Sequence, residues 1–455
     1  MNLERTPLLT DLYELTMLQT YYEHDMTGES VFELFMRRSP RRGFYIAAGL
    51  EQGVEWLEQL RFKPHELEWM KRSGFFSSDF VDRMAAFRFT GRMAALPEGT
   101  PFFAEEPVVQ VVAPLPEAQF IESRLMNILH YQTLIASKAA RCVIAADSTP
   151  VIDFGMRRAH GGEAGTWAAR ACYLAGFQAT ATCLASARYG IPATGTMAHA
   201  FVLAHDHESE AFERFARSHP DNVVLLIDTY DVGRGAQRVV ELAGRLQADD
   251  IQVQAVRIDS GDLVANARLA RAILDDGGLT DTRILVSGGL DEYRIADLKQ
   301  SGAPIDGVGV GSSVDTSADV PFLDSAYKLH EFAGKPRGKH AEGKTDLPGR
   351  KQIFRRHDAS GRILRDTLGL EWEAQDGLPL LAPVMANGKR VSTGFDQGLA
   401  AARDRCRDAL ATLPPALRAL GEPAEHPVVL GEGLRELQQT LIRQHRGHSG
   451  ESGTP

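Results

Sequence analysis

Residues 222–313 read NVVLLIDTYDVGRGAQRVVELAGRLQADDIQVQAVRIDSGDLVANARLARAILDDGGLTDTRILVSGGLDEYRIADLKQSGAPIDGVGVGSS. Four short apolar, β-rich runs stand in this stretch, at 222–227, 251–258, 283–286 and 305–308. Each ends on a polar or glycine-rich signature: Asp228, Asp259, Ser287-Gly288-Gly289, and Gly309 with Gly311. Helical spacing fills the gaps, at 232–246 and 263–274. Near-continuous apolar strands alternating with helices predict a parallel sheet covered on both faces. The strand ends recur at intervals of roughly 22 to 31 residues, the repeat length of a barrel βα unit. The predicted fold is α/β, an irregular TIM-like α/β barrel rather than an open sheet. In either case the carboxyl ends of the strands are where an active site is built.

Working outward, runs at 149–154, ending near Asp153, and at 191–196, before His199, extend the pattern upstream and give an α/β barrel domain over 141–334. Residues 1–140 are mixed. A helix is expected at 11–22, an alternating strand at 30–36, and a long amphipathic helix at 117–140. Between them, Pro97, Pro101 and Pro107 separate short β-rich runs in 96–112, which suits a small sheet with turns. Beyond Gly334, a basic glycine-rich segment (335–351) leads to strand-like runs at 352–356 and 361–365 and a helix at 398–413. The expectation is a second α+β domain built from N- and C-terminal segments, 1–140 completed by 335–443. A polar tail, 444–455, is expected to be disordered.

At 455 residues the chain is too long for one ordinary core. Hydrophobic residues at 44% and charged residues at 24% are the balance of a soluble globular protein. No apolar run reaches the roughly 18 to 20 residues of a membrane span, so no membrane partner is expected. The N-terminus lacks an export pattern, and Cys142, Cys172, Cys183 and Cys406 show no CxxC spacing. Reduced thiols and a cytoplasmic location follow. A formal charge of -10 argues against nucleic acid as a partner, although local basic clusters can still meet a small anion.

In Asp153-Phe154-Gly155-Met156-Arg157-Arg158 the arginines could fork onto a carboxylate or phosphate, and Phe154 could stack on a ring. The plain alternative is an exposed arginine pair with Phe154 in the core. His199 ends Gly195-Thr196-Met197-Ala198-His199, with His205 and His207 just beyond. That spacing is not a standard metal pattern. An acid–base or nucleophilic role for His199 competes with a structural one, and His205 and His207 read as structural. Asp228 and Asp231 in IDTYDVG, and Asp259 and Asp262 in IDSGDL, could serve Mg2+ and a ribose diol. Asp231 and Asp262 are better placed as helix N-caps, which leaves Asp228 and Asp259 for chemistry. Glycine turns at Ser287-Gly288-Gly289 and at Gly309 to Ser313 expose backbone amides that can cradle a phosphate.

The motifs TDLYELTM, DFGMRRAHG, GTMAHAF, LLIDTYDVGRGA, VRIDSGDL, VSGGLDE and GVGVGSS follow one another in this order. In that series the chain resembles the nicotinate phosphoribosyltransferases over nearly its full length. The resemblance implies the type II phosphoribosyltransferase fold, an incomplete α/β barrel plus a domain from both ends of the chain. It implies condensation of nicotinate with 5-phosphoribosyl 1-diphosphate, the first step of NAD salvage from nicotinate. ATP hydrolysis would be coupled in ligase fashion through a phosphohistidine, at His199 by the GTMAHAF motif, with Mg2+ as cofactor. A homodimer with shared sites is implied. Tyr13 and Arg37 would come from the neighbouring subunit, and Phe154 would complete the ring sandwich. Arg157 and Thr196 would help hold substrate. Arg257, Asp228 and Asp259 would line the ribose, Mg2+ and phosphohistidine region. Ser287, Gly288, Gly289, Gly309 and Gly311 would take the 5'-phosphate. Related nicotinamide phosphoribosyltransferases carry an Asp where Ala181 aligns here, so the missing carboxylate favours the acid as acceptor. The alternatives are the amide as acceptor, a non-catalytic phosphoribosyl- or nucleotide-binding regulator, and a metal-dependent barrel hydrolase.

Overall fold

The computed structural model describes residues 5–341, 344–392 and 398–450. Two compact units emerge, Ile135–Pro321 and a discontinuous one made of Met1–Leu134 with Phe322–Pro455.

The Ile135–Pro321 unit is built on a six-stranded parallel sheet that curls as a half-barrel. Its order is Ala179–Thr180, Val151–Asp153, Gly307–Val310, Arg283–Val286, Ala255–Ile258, Val224–Leu226. Register sets the strand ends side by side: Leu226 pairs Arg257, Ile258 pairs Val286, and Val310 pairs Asp153. The strands are apolar because helices cover them. Val232–Leu246, for example, buries Val232, Ala236, Val239, Leu242 and Leu246, the three-and-four spacing of one helical face. Gly235 on that helix is a packing requirement, since a Cβ there would strike the Ile227 carbonyl. Asp231 and Asp262 are indeed N-caps: Asp231 accepts from the Arg234 amide at 2.8 Å, and Asp262 from the Val264 and Ala265 amides at 3.1 Å each.

The strand expected at 191–196 does not form. Ala193 makes only a single bridge, to Thr180 of the edge strand Ala179–Thr180. Gly190 in the left-handed region ends the preceding helix, and Pro192 has no amide to offer a ladder. The last strand runs two residues further than expected, to Val310, so Gly309 lies in the strand and not in the turn after it.

The other unit carries a seven-stranded sheet in which Glu29–Met36 pairs antiparallel with both Ser325–Phe332 and Pro107–Pro114. This pairing moves the unit boundary to Phe322, ahead of the expected 335. The long helix expected at 117–140 is two helices, Leu115–Phe120 and Glu122–Ala146. A four-stranded sheet centres on Lys351–His357 and Ile363–Leu370. Here the charges turn inward in pairs: Lys351 meets Glu33 at 2.7 Å, and Arg355 meets Asp366 at 2.6 Å. The terminal helix spans Glu432–Gly450, so residues 444–450 are helical where disorder was expected. Buried Leu434 and Leu441 anchor the helix, and each further turn then adds a hydrogen bond without a new nucleus. Residues 451–455 lie outside the described residues. Among the described residues no helix is long and apolar enough to cross a membrane.

Candidate active site

The carboxyl edge of the parallel sheet opens into a cavity of about 550 Å3. Every residue that lines it comes from the Ile135–Pro321 unit. Phe154, Arg157, Thr196, Arg257 and Asp259 line it, as do Ser287, Gly288, Gly289, Gly309 and Gly311. Residues far apart in sequence thus meet because parallel strands end at one rim.

Phe154 follows the Val151–Asp153 strand, and its amide donates to the Val310 carbonyl at 2.7 Å. Its ring lies directly over Gly309, where any Cβ would run into the ring carbons. Gly309 is therefore the floor beneath an aromatic platform, a different role from the phosphate turn expected of it. Past Phe154 the chain makes a short 3-10 turn, Met156–Arg158, with both arginines exposed to the cavity side of the fold. The Arg257 guanidinium stands 5.9 Å from the Phe154 ring centroid and gives one hydrogen bond, from Nη2 to the Met197 carbonyl at 3.1 Å. Its Nε is buried with no partner among the described residues. Burial pulls the Arg257 pKa below its usual value against the pull of Asp259 and Asp228, while Arg157 adds like charge. Two guanidinium groups with spare donors beside a ring face suit a planar aromatic anion.

Gly288, at φ 95°, and Gly289, at φ 64°, form the turn after Val286. A side chain at Gly288 would collide with the Asp259 carbonyl, so this turn can sit against the neighbouring strand end only as glycine. Ser287 donates its hydroxyl to Asp259 Oδ1 and so fixes that carboxylate at the cavity wall. Gly311 caps the short helix Ser312–Asp315.

His199 and Asp228 do not line the cavity itself; they form a cluster alongside it. His199 begins the helix His199–Leu203, while Ala198 reaches the cavity. His199 Nδ1 is 3.1 Å from the Thr229 hydroxyl, and Nε2 is 4.0 Å from Asp228 Oδ1. Asp228 Oδ2 accepts from the Asp259 amide at 2.9 Å and the Ser260 hydroxyl at 2.6 Å. Oδ1 is buried and accepts nothing among the described residues. A carboxylate half satisfied by the fold keeps its other oxygen for something else. Thr229 and Ser260 were passed over in the sequence, although both sit inside quoted motifs; a hydroxyl has no periodic signal to announce it. His205 is structural, its Nδ1 2.8 Å from the Phe201 carbonyl. Among the described residues no group of three or more His, Cys, Asp or Glu could hold a metal ion unaided.

Ala181 also lines the cavity. Its amide donates to the Asp153 carbonyl at 2.9 Å. Tyr13 and Arg37 belong to the discontinuous unit. Tyr13 is exposed on the helix Leu12–Glu23, and Arg37 is held by Asp324 at 2.8 Å.

Three family models match in chain order: the nicotinate phosphoribosyltransferase N-terminal domain over residues 8–130, the nicotinate phosphoribosyltransferase family over 150–302, and the C-terminal domain over 373–438. A nicotinate phosphoribosyltransferase of Mycobacterium tuberculosis is 47% identical over 429 residues, 94% of this chain and 92% of that protein. One of Bacillus subtilis is 40% identical over 359 residues, 76% of this chain and 72% of that protein. The crystal structure of human nicotinic acid phosphoribosyltransferase superposes with a TM-score of 0.84 at 28% identity, covering 95% of this chain and 99% of that one. Matched from its first helix to its last and along the strand ends that build the cavity, the chain belongs to the nicotinate phosphoribosyltransferase family.

Proposed function

We propose that this enzyme condenses nicotinate with 5-phosphoribosyl 1-diphosphate to give nicotinate mononucleotide and diphosphate, coupled to ATP hydrolysis through a phosphohistidine at His199. The observation that carries the reading is the meeting of the Phe154 ring, Arg157, Arg257 and the Gly288-Gly289 turn in one cavity. The pyridine ring lies on Phe154, and its carboxylate takes the Arg157 guanidinium. Ala181 at the wall brings no carboxylate of its own to repel the acid. The 5'-phosphate takes the backbone amides of the Gly288-Gly289 turn. As diphosphate leaves, positive charge grows on the ribosyl carbon and is tolerated beside Asp259. The ring nitrogen is held facing that carbon, so much of the rate gain is positioning. Arg257, with donors to spare, meets the negative charge of the phosphate groups.

Mg2+ fits the donor set without an all-protein cage, because this ion keeps waters and substrate oxygens and needs only one or two carboxylates. Asp228, with Oδ1 unsatisfied, and Asp259 would hold it, and it supplies charge neutralisation when bound. His199 faces Asp228 at the lip of the cavity, where a phosphoryl group on its ring would alter the grip on the donor substrate. Two copies would share sites, with exposed Tyr13 and half-buried Arg37 reaching the partner's cavity. Four free cysteines suit a reducing, cytoplasmic setting.

The test is product analysis after incubation with nicotinate, 5-phosphoribosyl 1-diphosphate, Mg2+ and ATP. Nicotinate mononucleotide should form, faster with ATP than without, and a preference for nicotinamide would overturn the acceptor. His199→Ala should keep the ATP-independent rate and lose the stimulation; an unchanged ATP dependence removes the phosphohistidine from the scheme.

A further inference from the structure

The helix Glu292–Gln300 starts just past the Gly288-Gly289 turn, and a buried ion cluster outside the scheme above holds its first residue. Glu292 is 0% exposed, and two cations of the helix Glu122–Ala146 take its two oxygens. Lys138 Nζ donates to Oε2 at 2.5 Å, and Arg141 Nε to Oε1 at 3.0 Å. Positions 138 and 141 stand three apart and so share a helix face. Arg141 Nη2 goes on to the Tyr293 hydroxyl at 3.2 Å. Lys138, itself 1% exposed, also reaches Asp319 Oδ1 at 2.7 Å. Asp319 lies beyond the helix Ser312–Asp315, whose first two residues line the cavity.

Lys138 thus bridges the two chain segments that bring glycine turns to the cavity. At the cavity wall the same two segments are joined a second time, by the Ser313 hydroxyl donating to the Leu290 carbonyl. Arg294 ties the Gly288-Gly289 turn to the start of its helix. Its amide donates to the Asp291 carboxylate at 2.9 Å, and its Nη1 to the Gly289 carbonyl at 3.0 Å. A displacement of Glu292 therefore carries to the turn. Stability alone does not call for such a cluster, since well-packed apolar residues of similar volume often serve a buried site as well or better. What paired ions add is fixed direction, because each charge must meet its partner or stay buried without one. We propose that Lys138 is a positioning residue. By joining Glu292 to Asp319 it sets the spacing between the Gly288-Gly289 turn and the 311–313 segment, and so shapes the cradle for the 5'-phosphate of the donor. The inference rests on the reading of the Gly288-Gly289 turn as the phosphate site.

The experiment measures kcat and both KM values in the full-length enzyme for two variants. Lys138→Met keeps the length and removes the charge; Asp319→Ala cuts one leg of the bridge and leaves Lys138 paired with Glu292. Lys138→Met should raise KM for 5-phosphoribosyl 1-diphosphate about tenfold, and Asp319→Ala about threefold to fivefold. KM for nicotinate should stay within about twofold, with kcat nearly unchanged. Ribose 5-phosphate, which carries the same phosphate without the diphosphate, should weaken as a competitor by similar factors. A purely structural role would lower the unfolding midpoint and leave both KM values of the folded enzyme at wild type. That result overturns the proposal, as do variants that weaken both substrates alike or leave competition by ribose 5-phosphate unchanged. Should Lys138→Met not fold, Asp319→Ala decides: a wild-type KM for 5-phosphoribosyl 1-diphosphate overturns the proposal. Gly289→Ala runs alongside, since at φ 64° a Cβ strains the turn itself. If Gly289→Ala leaves that KM unchanged, the phosphate reading falls; if it raises it while Lys138→Met and Asp319→Ala do not, only the role of Lys138 falls.

Discussion

Arg355 in the discontinuous unit and Arg257 in the half-barrel are both guanidinium groups largely removed from water, yet their surroundings differ in kind. Arg355 spends its donors on the fold: Nε and Nη2 on Asp366 at 2.9 and 2.6 Å, Nη1 on the Pro101 carbonyl at 2.7 Å. Arg257 has one bond to a carbonyl and a buried Nε with no partner among the described residues. The same residue type thus serves two ends. Where the fold completes the partner list, the charge holds structure together. Where it leaves the list short at a strand end, the proposed function gives the spare donors to a ligand.

The sharpest way to break this contrast is Arg355→Ala. It abandons Asp366 as an uncompensated buried charge and should cost about 3–5 kcal/mol in denaturant unfolding, with kcat/KM of the folded fraction unchanged. A normal unfolding midpoint would show that Arg355 is not structural. Arg257→Ala should do the reverse, lowering kcat/KM on the order of 100-fold with little change in stability. A large drop in melting temperature with activity retained would put Arg257 in the same class as Arg355.

The smallest effect comes from a place where the discontinuous unit breaks its own pattern. Glu14 is buried close to Glu122, and Gln119 Nε2 donates to both carboxylates at 3.0 and 2.7 Å. Burial raises the Glu14 pKa to about 7, the Gln119 bond opposing and the Glu122 charge adding. The folded state therefore keeps a proton that the unfolded state, near 4.5, has released. Stability falls as pH rises between those two values, and the loss is complete above 7. Glu14→Gln should remove that loss and raise the melting temperature by roughly 2–4 °C at pH 8, with no gain near pH 4. An equal gain at both pH values would show that the carboxyl does not titrate in this window.

Much of the barrel was legible because its signals are local. The Val232–Leu246 helix declares itself by apolar spacing and by Asp231 at its start, and the strands by apolar runs that stop at Asp228, Asp259 and Ser287. The Ala179–Thr180 strand was not legible, since two residues carry no period. Gly309 misled for a related reason: a glycine beside a turn motif reads as turn, and nothing local says that the Phe154 ring will rest on it. The motif series brought the right residues to notice, but only the fold could separate those in the cavity from His199 and Asp228 beside it.

The pairing of Glu29–Met36 with Ser325–Phe332 also sets a timetable for the chain as it is made. Ser30 leaves the ribosome long before its neighbour Phe332, with the whole parallel-sheet unit synthesised in between. Until then one edge of an almost wholly buried, apolar strand has no neighbour, and such an edge is where nascent chains pair wrongly. Early collapse of the intervening unit would shorten the loop that must close and lower its entropy cost. The order of the segments therefore makes the catalytic half of the molecule, in effect, the folding escort of the other half.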